Sequence, residues 1–293
     1  MKKISAFIKL SRPFTLLSPA VGFIGGGLTA WSLSKLPGAP PWGVWAGAAA
    51  SVLLNAFSNS LNQIYDLEID RINCPKRPLP SGSLTLRDAG IFTFACLALS
   101  FVIATAVSTL LLNIFAAAAL TTWAYSAPPA RTKARGMLGN LTIAVTRGLL
   151  LFVAGWTSAA SPWTPVPWTA GAVLGLFIFG AASTKDFSDT KGDSAFGIMT
   201  LPVRFGPAAA ARIIAPFLVA PFLLIPVFTA IGALPRATLP LSALSLYGLF
   251  IAALLLREHR PGNARPSRAS WVHMYILLVL AQAGFAACCI LLK

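Results

Sequence analysis

Eight acidic residues are spread over a chain of 293, and six of them stand in two short clusters. The first cluster is Asn62-Gln-Ile-Tyr-Asp66-Leu-Glu68-Ile-Asp70. Residues four apart share a helix face, so Asn62, Asp66 and Asp70 line up, and Asn55 and Asn59 extend the stripe backwards. Glu68 lies off the stripe and reads as a solvated charge. The helix must end before Pro75, Pro78 and Pro80. The second cluster, Asp186-Phe-Ser-Asp189-Thr-Lys191-Gly-Asp193, spaces its carboxylates at i, i+3 and i+7, again on one face. Like charges at these spacings repel by about 0.2–0.5 kcal/mol on an exposed helix, and by more when desolvated. Stacking them twice predicts a cation between them. A few hard oxygen ligands that leave room for water suit Mg²⁺ bridging a substrate phosphate. The neighbouring Lys76, Arg77, Lys185, Lys191 and Arg204 would then contact phosphate oxygens directly.

The elements that must position these clusters are membrane spans. The chain is 56% hydrophobic and 11% charged, with a mean hydropathy of +0.75. Soluble domains carry about 25% charged residues, so a soluble enzyme, a disordered protein and a secreted disulfide scaffold are excluded. The four cysteines show no metal-ligand spacing and read as small apolar residues. A window of about 20 apolar residues predicts an all-α integral membrane protein, a single polytopic domain of nine transmembrane helices. The spans are 14–34, 42–62, 89–107, 108–126, 139–159, 167–184, 207–230, 238–256 and 270–291, with the break between the third and fourth at Ser108. The apolar run after Lys2, Lys3, Lys9 and Arg12 is too long for a signal peptide and reads as a retained first span. Nine spans put 19 of the 23 Lys and Arg on one face, against Lys35, Arg236 and Lys293 on the other. That bias assigns the N-terminus and the acidic loops to the cytoplasm. It also accounts for the +15 charge without nucleic acid as a partner. A diphosphate site at the surface of an apolar bundle suits a substrate with a diphosphate head and a long apolar tail.

The two clusters extend into longer patterns, N-Q-I-Y-D-L-E-I-D-R-I-N-x-P-x-R-P-L-P-S-G at 62–82 and K-D-F-S-D-x-x-G-D-x-x-x-G-I-x-T-L-P-V-R-x-G at 185–206. These closely resemble the two signature motifs of the intramembrane prenyltransferases of the UbiA superfamily, in the same order and on the same face. The resemblance implies a helical barrel around a central cavity. It implies two Mg²⁺ ions, one held by Asn62, Asp66 and Asp70 and the other by Asp186, Asp189 and Asp193. These would bind the diphosphate of an allylic prenyl donor, with Asp66, Asp70, Asp189 and Asp193 catalytic through the metal. The allylic carbon–oxygen bond would ionise, and an aromatic or lipid acceptor in the bilayer would capture the cation. The loop Tyr125-Ser-Ala-Pro-Pro-Ala-Arg131-Thr-Lys133 resembles the family's loop after helix 4, which makes Tyr125, Arg131 and Lys133 substrate contacts. The I-x-T-L-P-V form of the second motif resembles members acting on homogentisate, chlorophyllide or glycerol-phosphate lipids.

Arg147 falls inside a span, where a charge must be paired or wet, and reads either as a substrate contact or as a structural ion. Arg12 reads as a topology charge, and His259 and His273 as structural or solvated. Gly22, Gly25, Gly26, Gly27, Gly171 and Gly175 suit close helix packing. The Pro-Trp runs near 37–45 and 161–168 suit the far interface. A terpene cyclase built on the same site, with intramolecular capture of the cation, is the alternative enzyme. An ion-coupled transporter would instead need charges or broken helices near the midplane, whereas the carboxylates here gather at one surface.

Overall fold

The computed structural model describes residues 2–34, 37–260 and 269–292. Lys35 and Lys293, and Arg265 and Arg268 of the last predicted cytoplasmic loop, lie outside the described residues. In chain order the helices are α1 (Lys2–Ser11), α2 (Leu17–Leu33), α3 (Trp42–Tyr65), α4 (Leu67–Asn73), α5 (Leu86–Val107), α6 (Thr109–Ser126) and α7 (Met137–Ile143). They continue with α8 (Leu151–Thr157), α9 (Pro165–Ala181), α10 (Asp186–Ala195), α11 (Leu201–Phe205), α12 (Pro207–Leu223), α13 (Ile225–Ala230), α14 (Leu244–Glu258) and α15 (Ala269–Leu291). A π-helical stretch, Ala144–Leu150, joins α7 to α8. A 3₁₀ turn, Pro13–Leu16, leads into α2. No strand occurs among the described residues.

Eight helical segments are long and apolar enough to cross a membrane: Pro13–Leu33, Leu86–Val107, Thr109–Ser126, Met137–Thr157, Pro165–Ala195, Pro207–Ala230, Arg236–Glu258 and Ala269–Leu291. They coincide with eight of the nine expected spans. The remaining expectation, 42–62, is α3, whose 24 residues reach roughly 36 Å but which is not among the eight apolar segments. Its polar side chains have partners elsewhere in the fold. The Arg12–Pro13 break leaves the Leu10 and Ser11 carbonyls at the end of α1 without helical donors, and α3 supplies donors to them and to Thr15 in the turn that follows. Gln63 Nε2 donates to the Leu10 carbonyl at 2.6 Å, Asn59 Nδ2 to that of Ser11 at 2.8 Å, and Asn55 Nδ2 to that of Thr15 at 3.2 Å. Asn55 and Asn59 therefore brace the N-terminal segment, and Asn59 also borders the large cavity beside Asn62.

The break between α5 and α6 is at Ser108. Its backbone is extended (φ −169°, ψ 152°), and its hydroxyl accepts from the Leu111 N–H at 3.1 Å, capping α6. Helices α2, α8, α9, α12, α14 and α15 pack in a closed circuit, and α3, α5 and α6 pack on its α2–α8 side. Glycines set the closest approaches. A Cβ on Gly26 would lie 2.2 Å from the Phe152 carbonyl oxygen, one on Gly25 2.3 Å from that of Gln282, and one on Gly155 2.1 Å from that of Phe23. The bundle holds a partly open central cavity of ≈640 Å³ bordered by α2, α3, α6, α9, α15 and the π-helical stretch. Trp42, Trp45 and Trp163 are exposed, in keeping with an interfacial role. Gly155→Ala is expected to force α2 and α8 apart and cost about 1–3 kcal/mol. Gly90→Ala, in open space on α5, should instead stabilise by about 0.5–1 kcal/mol. Thermal midpoints in detergent check the pair, and equal shifts would refute the packing argument.

Candidate active site

The helix carrying the first cluster does not run straight through it. At Asp66 the backbone leaves helical geometry (φ −101°, ψ 12°), which ends α3 and starts α4. The hydrogen bonds still connect across the junction, Asp66 N–H to Asn62 at 2.9 Å and Asp70 N–H to Asp66 at 2.7 Å, so the stripe survives. The second cluster forms α10 at the end of the Pro165–Ala195 segment. The two are tied together by Asn73, the last residue of α4. Its side-chain nitrogen donates to the Asp189 carbonyl at 2.9 Å, and its oxygen accepts from the Gly192 N–H at 2.8 Å. A Cβ on Gly192 would lie 2.6 Å from the Asn73 amide, so this contact needs a glycine.

Between α4 and α10 lies a small polar cavity of ≈60 Å³. Asn62, Asp66, Asp70, Arg77, Tyr125, Lys133, Lys185, Asp186, Asp189 and Asp193 border it, ten residues singled out by the sequence. Asn62, Arg77, Tyr125, Lys185 and Asp189 also border the large cavity, so polar and apolar compartments share a wall. Cations hold the first cluster. Lys133 Nζ pairs with Asp66 Oδ1, Arg131 Nη2 approaches the same oxygen at 3.5 Å, and Arg77 Nη1 meets Asp70 Oδ1 at 2.5 Å. Asp66 and Asp70 are buried. Burial raises the Asp70 carboxyl above its ordinary pKa, against the pull of Arg77. Burial likewise lowers the Lys133 ammonium, with Asp66 opposing the shift.

Sequence reasoning missed two residues. Arg12, read as a topology charge, borders both cavities. Its Nε is buried with no partner, and burial, followed by the nearby Arg77 charge, lowers its pKa. The only signal was its place beside Pro13. Arg12 (φ 54°) and Arg131 (φ 34°) are the two non-glycine residues with left-handed backbones among the described residues, and both stand at the acidic site. Asn73 was visible in the first motif, yet nothing in its spacing showed that it would clamp the second. Conversely, Lys76 and Lys191 border neither cavity and are exposed. Lys76 follows Pro75 in the turn after α4, and Arg77 beside it is the side chain that faces Asp70. Arg204 lies over the Phe205 ring at 5.2 Å, outside both cavities. Glu68 pairs with Arg71 at 2.7 Å on the surface, as a solvated charge should. Arg147 borders the large cavity.

Among the described residues no three His, Cys, Asp or Glu side chains come close enough to hold a metal ion unaided. The donors present nonetheless fit Mg²⁺, which is usually held by one or two carboxylates, with waters and substrate phosphates completing its shell. Asp70 Oδ2 is buried without any partner, and an oxygen in that position is a natural ligand for an incoming cation.

The chain matches the model of the UbiA prenyltransferase family over residues 14–279 and belongs to that family. It is therefore a multi-pass membrane prenyltransferase. It is 30% identical over 216 residues to digeranylgeranylglyceryl phosphate synthase of Methanopyrus kandleri, an alignment covering 72% of this chain and 74% of the relative. It is 29% identical to the bacteriochlorophyll synthase 34 kDa chain of Chloroflexus aurantiacus, over 71% of this chain and 66% of the relative. A UbiA homologue from Archaeoglobus fulgidus, solved with DMAPP and Mg²⁺, shares the fold with a TM-score of 0.77 at 21% identity, over 97% of this chain and 98% of that one.

Asn73→Ala removes both bonds of the α4–α10 brace. Each neutral hydrogen bond contributes about 1 kcal/mol, so losing both should speed amide exchange at Gly192 by roughly 30-fold. Unchanged protection at Gly192 would show that α10 holds its place without the brace.

Proposed function

We propose that this enzyme transfers a prenyl group from an allylic prenyl diphosphate to an aromatic or lipid acceptor inside the membrane, in an Mg²⁺-dependent reaction. The observation that carries this reading is the polar, carboxylate-lined cavity sharing a wall with an apolar one. Asn62, Asp66 and Asp70 would hold one ion, and Asp186, Asp189 and Asp193 a second. The ions would supply electrophilic stabilisation of the departing diphosphate.

The chain's own side chains do the rest. Lys133, Arg131 and Arg77, now on carboxylates, can turn to phosphate oxygens, joined by Lys185 and Arg12 at the same wall. Tyr125 borders both cavities and can donate to the bridging region of the donor. The C1–oxygen bond breaks, with its electron pair leaving on diphosphate. C1 then bonds to the acceptor, which gives up one proton. Phe14, Trp271 and Tyr275 form a contiguous aromatic wall, with ring centroids 5.0–5.4 Å apart, along the large cavity. That wall suits the prenyl chain and keeps water from the developing cation. The charge bias of the loops supports a cytoplasmic site in one membrane domain, and the related enzymes named above support acceptors of lipid or pigment type.

Purified protein in lipid is expected to release diphosphate and form a prenylated acceptor detectable by mass spectrometry. EDTA should abolish both, and Mg²⁺ should restore them. Asp66→Asn or Asp189→Ala should lower turnover by on the order of 10²–10³-fold or more, and near-normal activity in either would overturn the metal assignment. A cyclised prenyl product formed without acceptor would mark intramolecular capture instead.

A further inference from the structure

Arg147 sits inside the Met137–Thr157 span, within the π-helical stretch Ala144–Leu150. A charge at such depth is costly unless it is paired or faces a wet cavity. Among the described residues no carboxylate forms an ion pair with its guanidinium. Its hydrogen-bond partners are neutral and distant, Ser58 Oγ at 3.3 Å and Asn59 Oδ1 at 3.5 Å. A guanidinium carries five donors in a planar fork suited to an oxyanion, so most of that capacity remains open.

The guanidinium shares the large cavity with Tyr125 and Asp189 but not the small polar one. Arg147 borders the central cavity and a side cavity of ≈50 Å³, with Ser58, Thr122 and Thr146 bordering both alongside it. It does not border the polar cavity where the six acidic-motif residues meet. Asn59, its partner, precedes Asp66 by two helical turns, roughly 10 Å along α3. The surrounding walls are apolar, with Leu54, Ile114, Phe115 and Leu151 among them. The position is also held rigidly. A Cβ on Gly148 would lie 2.3 Å from Gly175 Cα, and one on Gly171 2.8 Å from the Leu149 carbonyl oxygen, so the π-helical stretch is locked against α9. Single-turn departures into π-helix are frequent at functional sites.

Building on the prenyl-transfer reading, we propose that Arg147, with Ser58, Thr122 and Thr146, forms a second anion site. It receives a phosphate or carboxylate group of the acceptor, apart from the donor's diphosphate. Holding the acceptor's anion at this depth points its nucleophilic atom back toward the mouth shared by the two cavities, where donor C1 lies. It also selects the acceptor class, because a neutral acceptor would leave the guanidinium facing an apolar chain with no counter-ion.

The test uses the whole protein in lipid nanodiscs with Mg²⁺, geranylgeranyl diphosphate and two matched acceptor pairs. One pair is a prenylated glycerol phosphate and the corresponding unphosphorylated glycerol; the other is a hydroxybenzoate and the hydroxybenzamide. Wild type is expected to favour the anionic member of one pair by on the order of 10²-fold in kcat/KM, and the pair that shows the preference tells phosphate from carboxylate. Arg147→Gln should raise the acceptor KM by on the order of 10–100-fold while the donor KM stays within roughly two-fold. Arg147→Lys should recover part of the loss. Equal use of charged and neutral acceptors by wild type overturns the proposal without any variant. A rise in donor KM alone would make Arg147 a diphosphate ligand and also overturn it. No diphosphate release from wild type in any mixture would overturn the prenyl-transfer reading itself, which separates the two failures.

Discussion

The rest of the structure depends on holding concentrated negative charge at the edge of a low-dielectric bundle. Two like charges 4 Å apart repel by about 4 kcal/mol at the effective dielectric of a protein surface, and here two helices bring their carboxylates to one small cavity. The chain counters this with cations brought from several elements. Lys133 and Arg131 come from the loop after α6, Arg77 from the turn after α4, and Arg12 from the break before α2. Arg12 and Arg131 are held in left-handed backbone conformations, which cost of order 1–3 kcal/mol each. The charge balance at the site thus offsets local backbone strain.

These ion pairs also suit a site whose ligands arrive charged. A diphosphate brings negative oxygens, and a divalent ion brings the opposite charge. On the proposed reading, the carboxylates would exchange ammonium and guanidinium partners for the metal, and the freed cations would turn to phosphate. Metal and donor would, on that reading, be coupled in binding through the charges they bring to the site.

Much of this was legible in the residues. Apolar windows located the spans because a bilayer imposes one length on every crossing, and the 89–126 run, too long for one span, had to break, which it does at Ser108. The carboxylate stripes pointed to the candidate site because a chain with eight acids set two in one stripe and three in another. What escaped were contacts made across the bundle. Asn55 and Asn59 read as part of one stripe with Asn62, but they, with Gln63, donate to the Thr15, Ser11 and Leu10 carbonyls 40 or more positions earlier. Lys76 and Arg77 are neighbours of the same charge, and only the turn after α4 decides which one meets Asp70. Arg12 looked like one more topology charge because its importance comes from where the break places it.

Helix α3 joins these features. One set of its residues, Asn55, Asn59 and Gln63, fixes the N-terminal break and with it Arg12. Another set, Asn62 and the Asp66 junction, opens onto the polar cavity, while Ser58 and Asn59 reach Arg147. A more apolar α3 would cross a bilayer at lower cost but would leave the carbonyls near Pro13 unsatisfied and Arg147 without hydrogen-bond partners. The polarity that keeps α3 out of the set of apolar spans is thus the same polarity that lets one helix organise the N-terminal break, the carboxylate cluster and the deeper guanidinium.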